Sequence, residues 1–233
     1  MDEKTLSILL TELKKQNTDV INTLLYDRVS ITLSTRAVQR SADYVEKNMP
    51  NIVVFTSNSK EQMWDCAIGK LKIDGYIAEF GVFKGTSLNY LANLIYPNPI
   101  FGFDSFLGLE EDFSLDCPKG NFNLNGVLPE VLDNVTLVKG SFSESLPKWL
   151  LDNDGPFSLI NIDCDTYQAT TTVLNALGPT RIVSGTFILF DEYFGFYGWE
   201  QHEFKAWQEY CKKHNLKYRY VAVGHLQVLI EVL

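Results

Sequence analysis

From Gly75 onward, short apolar runs alternate with segments of helical length, and this alternation constrains the fold more than any other feature of the sequence. The runs lie at 76–80, 100–104, 135–138, 157–163 and 186–191, and the chain closes with 218–224 and 227–233. Strands this continuously apolar suit a sheet covered on both faces. Between them, 87–95 places Leu88, Leu91, Ala92 and Ile95 on one helical face. A second helix is predicted over 166–177, closed by Gly178-Pro179, and a longer one over 200–214. The last two runs are separated by so short a turn that they must pair antiparallel. The expectation is an α/β fold, a doubly wound Rossmann-like sheet with one reversed strand.

The first seventy residues read as helical. Leu6, Leu9, Leu10 and Leu13 share one stripe, and further helices are predicted over 35–47, ending before Met49-Pro50, and over 59–70. Residues 1–72 are read as a helical cover or oligomer contact, and residues 73–233 as the main domain. A formal charge of −9, from 20 basic and 29 acidic side chains, argues against a nucleic-acid partner or an anionic membrane. The four cysteines lie far apart with no CxxC pair, no apolar run reaches membrane-spanning length, and Met1-Asp2-Glu3-Lys4 lacks the apolar stretch of a signal peptide. A cytoplasmic protein is therefore expected.

Ligands of open α/β sheets bind beyond the carboxyl ends of the strands. Here those ends are acidic: Asp104, Asp163, and Asp191-Glu192, with Glu79 near the end of the first run. Any one of them can equally cap a helix or turn. The first strand–helix turn carries Gly81 and Gly85 four residues apart, followed by Thr86 and Ser87, and matches neither GxGxxG nor the phosphate loop. With Asp104 at the next strand end, it suits a nucleoside cofactor whose ribose hydroxyls meet a carboxylate. Asp163, Asp191 and Glu192 offer hard oxygen ligands to Mg²⁺ or a similar divalent cation. Asp165 is read as the cap of the helix that follows it.

Taken together, the stretches 79–87, 101–109, 138–142 with Leu146-Pro147, 162–167 with Thr170, and 190–193 through Gly198-Trp199 to Glu203 resemble the class I S-adenosylmethionine-dependent methyltransferases. The nearest likeness is to the macrocin O-methyltransferase family. It covers the chain from about residue 75 to the end. The resemblance implies a seven-stranded sheet with an antiparallel last strand. It also implies that Glu79, Gly81, Lys84, Gly85, Thr86 and Ser87 hold the methionine part of the cofactor. Asp104 and Ser105 would then meet the ribose, and Gly140, Ser141 and Phe142 would lie near the adenine. Asp163, Asp191 and Glu192 fall on the metal-ligand positions, with Glu192 where members commonly carry a second aspartate.

The implied activity is transfer of a methyl group to a hydroxyl of a small-molecule acceptor, a sugar or glycoconjugate first and a catechol second. Residues 106–130 would act as a lid. Some members use a histidine base there, but 108–129 contains none; of His202, His214 and His225, His202 is the candidate base, beside Asp163. The rival readings are a non-catalytic nucleotide-binding or assembly protein retaining the sheet and, more distantly, an NAD-dependent dehydrogenase. A homo-oligomer is also compatible with the sequence.

Overall fold

The computed structural model describes residues 12, 14–18, 28–56, 60–114 and 117–233. Leu6, Leu9, Leu10 and Leu13, and the residue 59 at which one predicted helix starts, lie outside these. The elements run α1 (Arg28–Asn48), β1 (Val53–Phe55), α2 (Glu61–Ile68), β2 (Tyr76–Phe80), α3 (Thr86–Ile95), β3 (Ile100–Asp104) and β4 (Val135–Lys139). There follow α4 (Phe142–Asp152), β5 (Phe157–Ile162), α5 (Tyr167–Arg181), β6 (Phe187–Phe190), a 3₁₀ turn (Trp199–Gln201), α6 (Glu203–His214), β7 (Tyr218–Gly224) and β8 (Gln227–Val232).

The strands form one sheet in the order β1-β7-β8-β6-β5-β2-β3-β4. All neighbours pair parallel except those of β8, which runs antiparallel to both β6 and β7. The reversed last strand is thus where the sequence places it. The count is eight rather than seven, because Val53–Phe55 joins β7 in parallel. Those three residues fall in a stretch read as helical. Their β-branched and aromatic side chains favour the sheet edge once β7 offers its unpaired backbone.

Side chains alternate between the two faces of the sheet, and each face has its own core. Ile160 and Ile162 of β5 join Phe80, Phe103, Leu174 and Trp207 on the face covered by α4, α5 and α6. Leu159, just before them, turns to the opposite face, with Leu88, Leu91, Met63 and Trp64 from α3 and α2. On the first face the rings of Phe80 and Phe103 stack at 4.8 Å and 14°. Trp149 of α4 meets Phe103 edge-on. Helix α4 escaped the sequence reading because Pro147 interrupts its pattern; it falls in the second turn of the helix. α5 runs on to Arg181 across a kink at Gly178, where the predicted helix stops. Helix α1 ties the N-terminal segment to the loop after β6. Ser41 Oγ accepts from the Gly195 amide at 2.9 Å, and Tyr44 packs edge-on against Trp199 and Phe204. Among the described residues, no helix is long and apolar enough to cross a membrane.

Candidate active site

Parallel strands β2, β3, β5 and β6 all end at the same edge of the sheet, which gathers the acidic strand ends into one place. The turn after β2 is tied to both neighbours: Gly81 donates to the Phe103 carbonyl at 3.0 Å, and Asp163 donates to the Phe80 carbonyl at 2.9 Å. Gly81 has φ +95°, and a Cβ there would lie 1.7 Å from the Asp163 carbonyl oxygen, so no other residue fits without moving that backbone. Asp104, at the end of β3, clamps the turn. Its Oδ2 accepts from the Val82 and Phe83 amides, each at 2.8 Å, and its Oδ1 from Phe106 at 2.7 Å. Phe83 and Phe106 both have positive φ, so these bonds hold two bulky residues in a conformation they seldom adopt.

A cavity of about 520 Å³ opens at this edge, within the range of small-molecule sites. Gly81, Lys84, Thr86 and Ser87 form one wall, Asp104 and Ser105 the floor beside it, and Gly140, Ser141 and Phe142 the next side. Asp163, Asp191 and Glu192 line the far end. Gly85 shapes the wall without reaching it: with φ +76° it is the N-cap of α3. Glu79 stands behind the wall, fully buried, accepting from Asn161 Nδ2 at 2.8 Å through one oxygen while its Oε2 has no partner. Burial, opposed by the nearby Ser87 hydroxyl and the Asn161 amide, pushes its pKa up to about 8. The segment after β3 folds back over the opening. Leu107 bridges Asn123, Phe122 packs edge-on against Phe83 at 5.2 Å, and Glu111 Oε1 accepts from the Gln168 amide at 3.2 Å.

At the far end, one carboxylate oxygen each of Asp163, Asp191 and Glu192 lies within 4.8 Å of the others. Burial and the charges of its neighbours, Asp191 first, hold the Asp163 carboxyl well above the usual range, and Glu192 is raised for the same reasons. Glu192 Oε2 is buried without a partner. Three acids crowded in this way, one with an orphaned oxygen, fit a divalent cation with oxygen preference. Glu203, fully buried at the start of α6, accepts from the Glu192 amide at 3.0 Å and fixes that loop.

Three residues here were not singled out from the sequence, or were read differently. Lys60, just before α2, donates to Asp191 Oδ2 and lines the cavity; forty residues from any acidic strand end but Glu79, it carries no local motif. Asp165 is not the cap of α5. Thr166 takes that position, its Oγ1 accepting from the Ala169 amide at 3.3 Å. Asp165 instead has φ +61° and faces the cavity, its pKa lifted to about 7 by burial and by Asp191. His202 is not part of the cavity wall. Its ring stands edge-on to Phe113 at 4.9 Å and near Phe196, its Nδ1 is unpartnered, and burial lowers its pKa against the opposing charge of Glu111.

Residues 78–193, which carry all of these strand ends, match the family model described as a methyltransferase domain. The chain carries a methyltransferase domain. The solved structures that resemble it include CalS11, a calicheamicin methyltransferase, with a TM-score of 0.60 at 20% identity over 86% of this chain and 91% of that one. The apo form of CalS11, described as a TDP-rhamnose 3′-O-methyltransferase, follows at 0.55, 20%, 86% and 93%. The O-methyltransferase NovP gives 0.52, 20%, 73% and 76%. At such identity the likeness speaks for the fold alone. Among curated proteins none matches the chain.

Proposed function

We propose that this methyltransferase uses S-adenosylmethionine to methylate a hydroxyl of a small molecule, a sugar or glycoconjugate, in the manner of the macrocin O-methyltransferases. The observation that carries the reading is that one cavity holds both halves of the chemistry, the glycine turn with Asp104 at one end and the carboxylate triad at the other. That CalS11 acts on a TDP-linked sugar and that NovP is an O-methyltransferase point the same way. S-adenosylmethionine supplies a methyl group already activated by its sulfonium. The 81–87 turn would hold its methionine part, with Glu79 supporting that turn from behind, while Asp104 and Ser105 meet the ribose and Gly140, Ser141 and Phe142 the adenine.

Asp163, Asp191 and Glu192 would hold Mg²⁺ or a similar ion, which lowers the pKa of an acceptor hydroxyl and fixes its direction. The protein's own task is then orientation and proton removal. Asp163, which faces the cavity, would take the hydroxyl proton in its ionised form. His202 stands behind Phe113, outside the wall in this conformation. Residues 106–130 act as the lid, with Phe122 and Glu111 already turned over the opening, and exclude water from the reacting pair. Residues 73–233 form the catalytic unit in this reading, and 1–72 its cover.

Calorimetry with S-adenosylmethionine and S-adenosylhomocysteine tests the donor, and Asp163→Ala tests the triad. Both ligands should bind, and Asp163→Ala should lose transfer by about 10²-fold or more while binding S-adenosylhomocysteine as the parent does. Absence of binding by either ligand would favour the non-catalytic rival. Undiminished transfer in Asp163→Ala, or in excess chelator, would remove the divalent ion from the mechanism.

A further inference from the structure

Asp191 is 2% exposed and each of its oxygens already accepts a hydrogen bond: Lys60 Nζ donates to its Oδ2, and Gln227 Nε2 donates to its Oδ1. The two donors differ in what they can do. Gln227 is fully buried on β8 and cannot leave without opening the sheet. Lys60 faces the cavity, with its side chain 39% exposed. Its backbone is anchored, because the Met63 and Trp64 amides donate to its carbonyl at 3.0 and 3.3 Å and both those side chains are buried. The ammonium sits at the end of a four-carbon stem that can swing while the helix start stays in place.

The charges at the site make the position of this ammonium consequential. Lys60 donates to Asp191, whose carboxylate lies with one oxygen within 4.8 Å of oxygens of Asp163 and Glu192. With the three triad carboxylates ionised, as a bound cation would require, one ammonium leaves two negative charges among them, and without it there are three. A divalent ion drawn to Asp191 must therefore either share the carboxylate with a like charge or displace it. Sharing is opposed at such range, and the lysine has solvent to move into.

We propose that Lys60 is an internal counter-ion of the carboxylate triad, which a divalent cation displaces from Asp191 on binding, so that Lys60 sets the affinity of the metal site. The inference rests on the reading of Asp163, Asp191 and Glu192 as cation ligands. It assigns to the segment before α2 a role in the catalytic centre that lies outside residues 78–193, the matched methyltransferase domain. It also gives the ligand-free protein a way to keep three crowded carboxylates from repelling one another.

Titration calorimetry of the full chain with Mg²⁺, and with Mn²⁺ as a second probe, tests this without reference to turnover. Lys60→Met and Lys60→Gln, each checked for a cooperative melt, remove the charge with and without a hydrogen-bond donor. The dissociation constant for Mg²⁺ should fall by about tenfold or more, equivalent to about 1.4 kcal/mol, in either folded variant. Lys60→Arg should bind no tighter than the parent. Equal or weaker binding in both neutral variants, with Asp163→Asn abolishing the heat, would overturn the role of Lys60 and leave the metal site standing. No heat from either ion in the parent or the neutral variants would overturn the metal site and the inference together.

Discussion

Asp104 shows how one residue can serve both the fold and the ligand. The sequence assigns it to ribose recognition because it ends a parallel strand. The structure adds that its two oxygens already accept from Val82, Phe83 and Phe106 and hold the glycine turn closed. Asp104→Ala leaves three amides without their acceptor, each in a partly buried setting. The expected loss of stability is about 2 kcal/mol or more, measured by denaturant unfolding, together with a weakened affinity for S-adenosylhomocysteine. An unchanged denaturation midpoint would show that the clamp adds nothing to the fold. Lys60 is the opposite case: its partner is distant in sequence, so no local pattern of residue types marks it. Strand-end acids could be read from the sequence because the parallel topology alone brings them together; a lysine that reaches the same point from another segment could not.

At the scale of elements, the buried strands were legible to within a residue because hydrophobic runs of β length have few other uses in an α/β chain. The strands at 76–80 and 100–104 agree to the residue with the expectation. What the pattern missed has physical reasons. Val53–Phe55 is too short to show a period, and its place depends on the edge of β7. Helix α4 contains a proline in its second turn, which reads as a break in the pattern. The sequence reading assigns the cap of α5 to Asp165, but Asp165 has φ +61° and Thr166 takes the position. Because Thr166 caps α5, Thr166→Ala should lower stability by about 1 kcal/mol, a fall in Tm of about 2–4 °C for a chain of this length. Scanning calorimetry that finds no fall would mean the bond from Ala169 contributes nothing, whereas Asp165→Ala should leave helix capping untouched.

The whole molecule gathers its charge unevenly. The overall −9 is spread along the chain. In the fold, however, the fully buried Glu79 and Glu203 and the half-buried Asp163, Asp165 and Glu192 gather around one cavity, with pKa values above those of free carboxyls. A carboxyl raised on folding binds its proton more tightly in the native state, so between its unfolded and folded pKa the native protein holds more protons than the unfolded chain. Stability contributed by such a group is full below about pH 4 and is lost as pH rises through the folded value. For Asp165 and Glu79 that places the loss between about pH 4 and pH values of about 7 and about 8 respectively. His202, lowered on folding, works the other way, but only below about pH 6.5 and as a single group. The ligand-free protein should accordingly become less stable from pH 5.5 to 8, by at most about 1.4 kcal/mol per pH unit for each extra proton held. Glu79→Gln should flatten the upper part of that decline, since it keeps an acceptor for Asn161 and removes the titrating group. Mg²⁺ should flatten it as well, because an ion at the triad stabilises the ionised carboxylates that high pH produces. Thermal melts across this range, with and without Mg²⁺, measure both effects. A stability that climbs towards pH 8 in the absence of ions would mean that the cavity end tolerates its full negative charge, and that the ammonium of Lys60 alone is enough to balance it.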